Sequence, residues 1–528
     1  MHFPGAAWNV KIYNHFVTLH CCLPHLMAVC SLIMPKILFC LLGFAVFAAA
    51  DAAAATDVVV ISPGENIQAV VDAHLPGTSY LLAPGVHRLQ SVAPKDGDSF
   101  TGEPGAVMSG AARLGPFERQ NGYWLAPAPR ASASPTGSCA KDQYGVRGDI
   151  CTYAEDLFLD SKPLRRVAEP GEVEPGAWYF DYDEGVVLLA DDPRGREVEI
   201  SVQRRAFHGA ARNVTISGLV IEKYAAPAQS GAVHGAEGAA WTLSHNEIRL
   251  NHGAGIRTGA AMRIVDNHIH SNGQIGIAGK GDNIQVEGNI LSHNNYAGFS
   301  TGWEAGGAKL VRTTNLVVRG NCVHDNTGTG LWTDMSNIHS LYEGNRVFAN
   351  SSEGIHHEIS YDAVIRGNTV FANGHGYDSW LFGAQILINT SQNTEVHDNH
   401  VEVARGYGDG IALLQQERED GRFGEARTSG NRVHGNLVVY RGENGVSGAA
   451  GDYDNEALFS SGNRFYGNSY MALGGDQAHW AWGEAVQHRT RYRTWPELRR
   501  TGQEADGRLE LQLLKPLDRN CANMAVGP

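Results

Sequence analysis

The chain has 528 residues, of which 63 are glycine and 19% are charged, and its formal net charge at pH 7 is −14. This acidic balance, with no Lys/Arg-rich run, excludes the basic surface typical of nucleic-acid-binding proteins. The many glycines and asparagines favour tight turns between short strands over long helices. The composition therefore predicts an all-β protein with one extended core.

Residues 1–55 are predicted to be a leader. From Met34 the sequence has one lysine, a hydrophobic run and then small residues suited to cleavage near Ala50 or Ala55. The alternative, a membrane anchor, is disfavoured because the apolar run is short for a membrane span. The mature protein is therefore expected to be secreted or periplasmic, with no membrane association after cleavage.

Residues 56–113 are predicted to form an N-terminal cap and the first coils of a solenoid. An amphipathic helical stretch around 67–73 would cover the open end that repeat folds must protect. Residues 114–199 lack the later repeat and are rich in aromatic and β-forming residues, with a hairpin pattern in PGAWYFDYDEGVVLL. These features predict an inserted β-subdomain, which would serve as a scaffold or as one wall of a cleft.

Residues 200–475 show the periodicity of stacked coils. Asn246, Asn267 and Asn289 follow one another at intervals of 21 and 22 residues, and each stands two residues before an isoleucine or leucine. A fixed period of this kind indicates a solenoid in which each unit buries its apolar side against its neighbours. The sequence thus predicts a right-handed parallel β-helix, closed by a C-terminal cap over 476–528 with a short helix at 495–500.

The segment 306–368 contains three copies of the same unit, which opens at Gly307, Gly330 and Gly354 at intervals of 23 and 24 residues. Counting from each glycine, the first position is apolar and should point inward. Because side chains alternate along a strand, the second and fourth positions should face outward. The second positions hold Lys309, Trp332 and His356, and the fourth positions of the last two units hold Asp334 and Glu358.

Two insertions interrupt the period on either side of these units. One contains STGWEAG, and the other contains GHGYDSWLFG. Insertions in repeat proteins map to loops on one face, which is often the binding face. Aromatic rings beside hydrogen-bonding groups are typical of a sugar site. The predicted substrate-binding residues are Trp303, Glu304, Lys309, Trp332, His356, His357, Trp380 and Gln385.

Two carboxylates on neighbouring strands, about 4.8 Å apart, lie close to the separation of about 5–5.5 Å used by retaining glycosidases. The proximity of two acids also raises one pKa, so that one group is protonated while the other is ionised. We predict that Asp334 is the nucleophile and Glu358 the acid/base. The alternative is that both are ordinary surface acids.

The cysteines agree with export, since Cys139 and Cys151 are close enough in sequence to form a disulfide. Cys322 is expected to be a buried filler and Cys521 to be free. The chain has no CxxC pair or other zinc spacing. We therefore predict no metal site and no cofactor.

Taken in order, WEAGGAK, GLWTD and HHEIS resemble the motifs of two β-helical glycoside hydrolase families, family 120 (β-xylosidase) and family 141 (α-L-fucosidase). The subdomain sequence PGAWYFDYDEGVVLL is also similar. The resemblance implies that Asp334 is the nucleophile, Glu358 the acid/base and Glu304 a substrate-binding acid. The chain also resembles a broad group of secreted bacterial right-handed β-helix proteins.

Two other function classes stay open at this point. A polysaccharide lyase or C5-epimerase would use Lys309, His356 or Arg312 near the sugar C5 and would neutralise a uronate with Ca²⁺ or basic residues. A non-catalytic β-helix would only bind glycans. In each case the expected partner is an oligo- or polysaccharide, with no nucleic acid, and the protein is expected to be a monomer.

Overall fold

The computed structural model describes residues 58–131, 135–140, 149–376, 381–451, 456–474, 477–486 and 489–521. The predicted leader, 1–55, and Trp380 lie outside these residues. The described chain is built mainly from short strands, and its four α-helices are Ile67–Ala73, Thr301–Glu304, Glu456–Ser460 and Trp495–Arg500. Two 3-10 helices span Ile150–Thr152 and Pro170–Glu172. Within these residues no helix has the length and apolar character needed to cross a membrane.

Three long sheets of parallel strands run along the molecule, and from Phe207 onward each coil of the main solenoid contributes one strand to each sheet in turn. Sheet I contains Val59–Ile61, Ser79–Leu82, Ser99–Gly102, Thr215–Ser217, Thr242–Ser244, Arg263–Val265, Gln285–Glu287, Val317–Arg319, Leu341–Glu343, Val364–Arg366, Glu395–His397, Arg432–His434 and Arg464–Tyr466. Sheet II contains Gly85–Arg88, Ala106–Ser109, Val220–Glu222, Glu247–Arg249, His268–His270, Ile290–Ser292, Cys322–His324, Arg346–Phe348, Thr369–Phe371, His400–Val403, Leu437–Tyr440, Ser469–Met471 and Arg508–Glu510.

Sheet III carries the candidate site. Its strands are Phe207–His208, Gly231–His234, Ala254–Thr258, Ile275–Gly279, Gly306–Val311, Thr329–Asp334, Ile355–Glu358, Ala384–Asn389, Asp409–Gln415, Ser447–Gly451, Trp480–Val486 and Arg489–Arg493. All of its pairings are parallel except the last, which is an antiparallel hairpin. The predicted parallel β-helix is therefore confirmed.

The inner faces of the three sheets form one continuous core. Ile248, Ile269, Leu291 and Val323 occupy equivalent positions on successive strands of sheet II and are fully buried. The helix Ile67–Ala73 adds two more buried apolar side chains to this core. The C-terminal helix, which lies at the predicted residues, adds Leu498. A solenoid core needs such covers because its end coils have no neighbour on one side.

Between the early coils and the main solenoid, two further sheets form the inserted subdomain. Their strands are Ala111–Arg113, Glu118–Gln120, Tyr123–Pro127, Leu157–Leu159, Lys162–Pro163, Arg165–Arg166, Ala177–Asp181, Val186–Leu189 and Val198–Ser201. The pairing is antiparallel apart from one short parallel contact. The subdomain has its own core around Trp178 and Phe180, so it packs as a separate apolar unit against the coils.

Two asparagine ladders connect the coils from inside. The first contains Asn246, Asn267, Asn289, Asn321, Asn345, Asn368, Asn399, Asn436 and Asn468, and the second contains Asn251, Asn272, Asn294, Asn326, Asn350 and Asn373. In each step a side-chain amide donates to the amide oxygen of the next coil. The ladders satisfy buried backbone groups at the turns, where the strands cannot do so.

Replacement of Asn345 by alanine tests the contribution of these ladders. Asn345 Nδ2 donates to Val318 O and Asn368 Oδ1 at 2.9 Å, and Asn345 Oδ1 accepts from Asn321 N and Nδ2 at 3.0 Å. Because several buried groups lose their partners, we expect Asn345→Ala to lower the free energy of unfolding by about 3 kcal/mol or more. Denaturant titration measures the change.

The matched control for this variant is Arg319→Ala. It removes exposed ion pairs to Glu287 on the preceding coil and to Glu343 on the following coil. Such pairs contribute about 1 kcal/mol or less. Equal destabilisation by Asn345→Ala and Arg319→Ala would contradict a structural role for the ladder.

The described residues contain two disulfides, and one of them corrects the sequence prediction. Cys139 is joined to Cys151, as expected. Cys322 and Cys521, predicted to be a filler and a free thiol, are joined to each other across 199 residues of sequence. The C-terminal segment returns along sheet II, where the side chain of Arg346 binds its backbone, and this return brings Cys521 to the coil of Cys322.

Candidate active site

The register predicted from the three glycines is confirmed in sheet III. Lys309 pairs with Trp332, and Trp332 pairs with His356, on three neighbouring strands. Thr333 pairs with His357, which places the next residues, Asp334 and Glu358, beside each other. Adjacent strands are about 4.8 Å apart. The two carboxylates therefore lie on the same face of neighbouring coils.

This outer face is covered by loops. Lys309, Trp332, Asp334, His356 and Glu358 are each no more than 7% exposed, although they point away from the solenoid core. Strand alternation correctly predicts that these side chains point outward, but it does not predict that they are buried. Solvent is excluded by insertions between the coils, so charges on this face interact in a less polar environment than surface charges do.

The segment of residues 416–427, which follows the strand Asp409–Gln415, covers part of this outer face. Tyr361 Oη donates to Gly424 O at 2.7 Å, and Arg422 N donates to Ser336 Oγ at 2.8 Å. These bonds hold the segment against the coils that carry Asp334 and Glu358. This insertion was not among those predicted to line the site.

The surroundings of Asp334 are asymmetric. Its Oδ2 lies 2.9 Å from Lys309 Nζ, which also donates to Trp303 O at 2.8 Å and lies 3.4 Å from the centroid of the Trp332 ring. Its Oδ1 is buried and accepts no hydrogen bond from any residue that the structure describes. Burial raises the pKa of the Asp334 carboxyl, Lys309 opposes this shift, and the nearby Glu358 adds to it. One oxygen is thus anchored by Lys309, and the other keeps an unused lone pair toward the described residues.

Glu358 is held by donors on three sides. Trp332 Nε1 donates to Oε2 at 3.2 Å, whereas Asn389 Nδ2 and Arg418 Nη2 donate to Oε1, each at 3.2 Å. The side chain of Arg418 is 36% exposed and lies on the solvent side of this contact. Glu358 is therefore oriented by the sheet and covered by the segment 416–427.

Trp332 and His356 form a stacked pair next to the carboxylates. Their ring centroids are 5.3 Å apart with an angle of 3° between the planes. His356 Nε2 is buried without a hydrogen bond and lies 3.9 Å from Glu358 Oε2, while His356 Nδ1 lies 3.8 Å from Glu353 Oε2. The stack provides an aromatic wall for the site.

Trp303 and Glu304 lie on the short helix Thr301–Glu304, and the two residues contact different parts of the site. The backbone oxygen of Trp303 reaches Lys309, as described above. The Glu304 carboxylate instead accepts from Gln229 Nε2 at 2.7 Å and pairs with Arg257 Nη1 at 3.3 Å. Arg257 lies two strands before Lys309 in sheet III. The ion pair with Arg257 therefore holds Glu304 on the side of the earlier coils, next to the coils that carry Asp334 and Glu358.

Two predicted substrate-binding residues, His357 and Gln385, point into the solenoid, so these predictions are wrong. His357 Nδ1 is 2.7 Å from Thr333 Oγ1, and burial lowers the pKa of this imidazole to about 3. Gln385 Oε1 accepts from Asn373 N and Nδ2 and ends the second asparagine ladder. Strict alternation places His357 at an inward third position and could have excluded it.

Asn389, Glu353 and Arg418 were not predicted. Asn389 pairs with Glu358 across sheet III, so alignment of ILINT with IHHEI would have found it. Glu353 precedes its turn glycine and accepts from Thr329 Oγ1 at 2.9 Å. Arg418 lies in a segment without periodicity, so no sequence signal places it beside Glu358.

A separate cavity of about 490 Å³ lies between the inserted subdomain and the coils. Its polar groups bind one another, since Asp156 Oδ2 accepts from Tyr296 Oη at 2.7 Å and lies 3.1 Å from His252 Nδ1. Its lining does not include Asp334 or Glu358. The carboxylate pair is the stronger candidate for catalysis. Asp334 Oδ1 has no hydrogen-bond partner among the described residues, and Glu358 is a second acid held in a fixed orientation.

Comparisons with known proteins agree with this architecture. A family profile described as "Right handed beta helix region" matches residues 231–401. The structure of XylC with xylose aligns with a TM-score of 0.61 and 14% identity, over 78% of this chain and 83% of that chain. The A-module of the Azotobacter vinelandii mannuronan C-5 epimerase AlgE4 aligns with a TM-score of 0.44 and 14% identity, over 76% and 88%.

No curated protein matches the sequence significantly. The likeness to XylC, at its low identity, concerns the fold. With the parallel pairing of the three sheets, it identifies the chain as a right-handed parallel β-helix protein.

Proposed function

We propose that this protein is a carbohydrate-active enzyme that hydrolyses glycosidic bonds with retention of anomeric configuration. The observation that carries the proposal is the placement of Asp334 and Glu358 on adjacent strands, where one buried carboxylate oxygen of Asp334 accepts no hydrogen bond within the described part of the chain. Carboxylates about 5–5.5 Å apart permit direct attack on the anomeric carbon. XylC, which has a similar fold, is solved with xylose, and this supports a saccharide substrate.

In this mechanism Asp334 Oδ1 attacks the anomeric carbon while Lys309 holds Oδ2. Glu358 donates its proton to the leaving glycosidic oxygen as the bond breaks, and a glycosyl ester forms on Asp334. Glu358 then accepts a proton from water, which displaces Asp334 and restores both carboxyl groups. The Trp332–His356 stack contacts the sugar, since aromatic faces commonly pack against apolar surfaces of ligands.

The lyase or C5-epimerase alternative is less well supported by the contacts of Lys309. Its ammonium group is paired with Asp334, donates to Trp303 O and lies over the Trp332 ring. A lysine that acts as a base must instead offer a free lone pair to the sugar C5 proton. In the hydrolase mechanism Lys309 keeps these contacts and holds Asp334 Oδ2 in place.

We further propose that the protein acts outside the cytoplasm. Disulfides join Cys139 to Cys151 and Cys322 to Cys521, and such bonds persist mainly in oxidising compartments. The leader predicted over residues 1–55 supports the same location.

The function is tested with a panel of aryl glycosides, neutral oligosaccharides and uronate polymers. We expect hydrolysis of at least one glycoside, and NMR of the first product should show the anomeric configuration of the substrate. An inverted first product would contradict the retaining mechanism. Unsaturated uronate products would instead support the lyase alternative, and binding without any product would support a glycan-binding protein.

A further inference from the structure

A second group of chemically reactive side chains lies on the outer face of sheet II. His268 and His270 occupy alternate positions on one strand, and Glu247 lies on the neighbouring strand, paired with His268. One ligand atom from each of these three residues lies within 4.8 Å of the other two. We refer to Glu247, His268 and His270 as the His268 cluster.

The cluster brings the ligand atoms of a metal site together on one face of the sheet, and rotation of the stacked imidazole rings would aim them at a shared ion. Residues two apart on a strand project from the same face, so both imidazoles and the neighbouring carboxylate converge without a change of backbone. His270 Nε2 is already 3.1 Å from Glu247 Oε1, and the rings of His268 and His270 are stacked with centroids 4.1 Å apart. Two imidazoles and one carboxylate form a known zinc ligand set that leaves a fourth position open.

The groups around the cluster include one competitor. Arg249 Nη1 donates to Glu247 Oε1, and Arg249 also pairs with Glu222 on the preceding strand. His293 and His324 lie near His268 and add further imidazole groups.

We propose that the His268 cluster binds a divalent transition-metal ion such as Zn²⁺, with water at the open position. The predicted absence of a metal site came from a search for local cysteine spacings, whereas these ligands come from stacked coils. Among the described residues, the other convergent group is Cys322, His324 and Cys521, whose cysteines are joined in a disulfide. The site is distinct from the Asp334–Glu358 pair, because it lies on another sheet.

The test is isothermal titration of ZnCl₂ into the mature chain after removal of metals by a chelator. We expect saturable binding of one ion per chain. Because each ligand contributes directly, His268→Ala and Glu247→Gln should each weaken the affinity by at least about tenfold. Circular dichroism verifies that both variants remain folded, as expected for substitutions on an outer face.

A matched control is His434→Ala on sheet I. His397 and His434 are also stacked, with centroids 5.2 Å apart, and His434 Nε2 is 3.1 Å from Glu395 Oε1. This pair belongs to neither convergent group among the described residues, so the control should bind Zn²⁺ like the wild type. The proposal is overturned if the wild type shows no saturable binding, if both cluster variants bind unchanged, or if the control loses as much affinity.

Discussion

Asp334→Asn is expected to reduce kcat by on the order of 10⁴-fold or more, because an amide cannot form the glycosyl ester. The substitution keeps the shape of the side chain, and its amide oxygen can still accept from Lys309. The variant should therefore remain folded while it loses turnover. Steady-state kinetics on the best substrate of the panel measure the loss.

The matched control is Asp282→Asn, which changes an exposed aspartate on another coil and should leave kcat unchanged. Mass spectrometry provides an independent readout, since an activated 2-fluoro glycoside should label Asp334 in the wild type. If Asp334→Asn retains more than about a tenth of the wild-type kcat, this residue is not the nucleophile.

The pH profile of the wild type follows from the same residue. Asp334 must be ionised to attack, so activity falls when the pH drops through its pKa. Because burial raises this pKa above the ordinary value of 3.8, we expect the acidic limb of the kcat/KM profile to lie above that value. A profile with an acidic limb below it would be inconsistent with the desolvated environment of Asp334.

Glu358→Ala is expected to give a loss that depends on the leaving group. Alkyl and sugar leaving groups need protonation, so we expect their hydrolysis to slow by about 10²–10⁴-fold. Substrates with very acidic phenol leaving groups do not need a proton and should form the glycosyl ester nearly as fast as with the wild type. Rapid-quench measurement of the first turnover separates the two classes.

Added azide should restore turnover in Glu358→Ala with activated substrates and give a glycosyl azide of retained configuration. Azide attacks the ester without help from a base and fits the space left by the missing side chain. Glu343→Gln, which alters an ion-paired glutamate on sheet I, is the control and should need no rescue. A loss that is equal for all leaving groups would argue that Glu358 only positions other residues.

The repeat pattern was sufficient to predict the parallel β-helix and the position of the acid pair. Asn246, Asn267 and Asn289 recur at coil intervals, and Gly330 and Gly354 bring Trp332 next to His356. Each coil pairs with the coil that follows it in sequence, so a local period translates directly into a register between neighbouring strands.

His357 and Gln385 were predicted to bind substrate, and both predictions are wrong because these side chains point into the solenoid. Strand alternation turns His357 inward, and Gln385 takes the place of an asparagine at the end of a ladder. Direction relative to the core, which has a period of two along a strand, decides whether such a residue can reach a substrate.

The sequence by itself determined the coil period, the turn asparagines and the outward position of Asp334 and Glu358. Only the tertiary structure decided that this face is buried, that Arg418 covers Glu358, that Cys322 meets Cys521, and that His268 and His270 converge with Glu247. The physical reason is that the coil period, the turn asparagines and the outward positions all depend on pairing between successive coils. The second set also depends on side-chain packing, and the contacts of Arg418 and Cys521 are made by segments without a period.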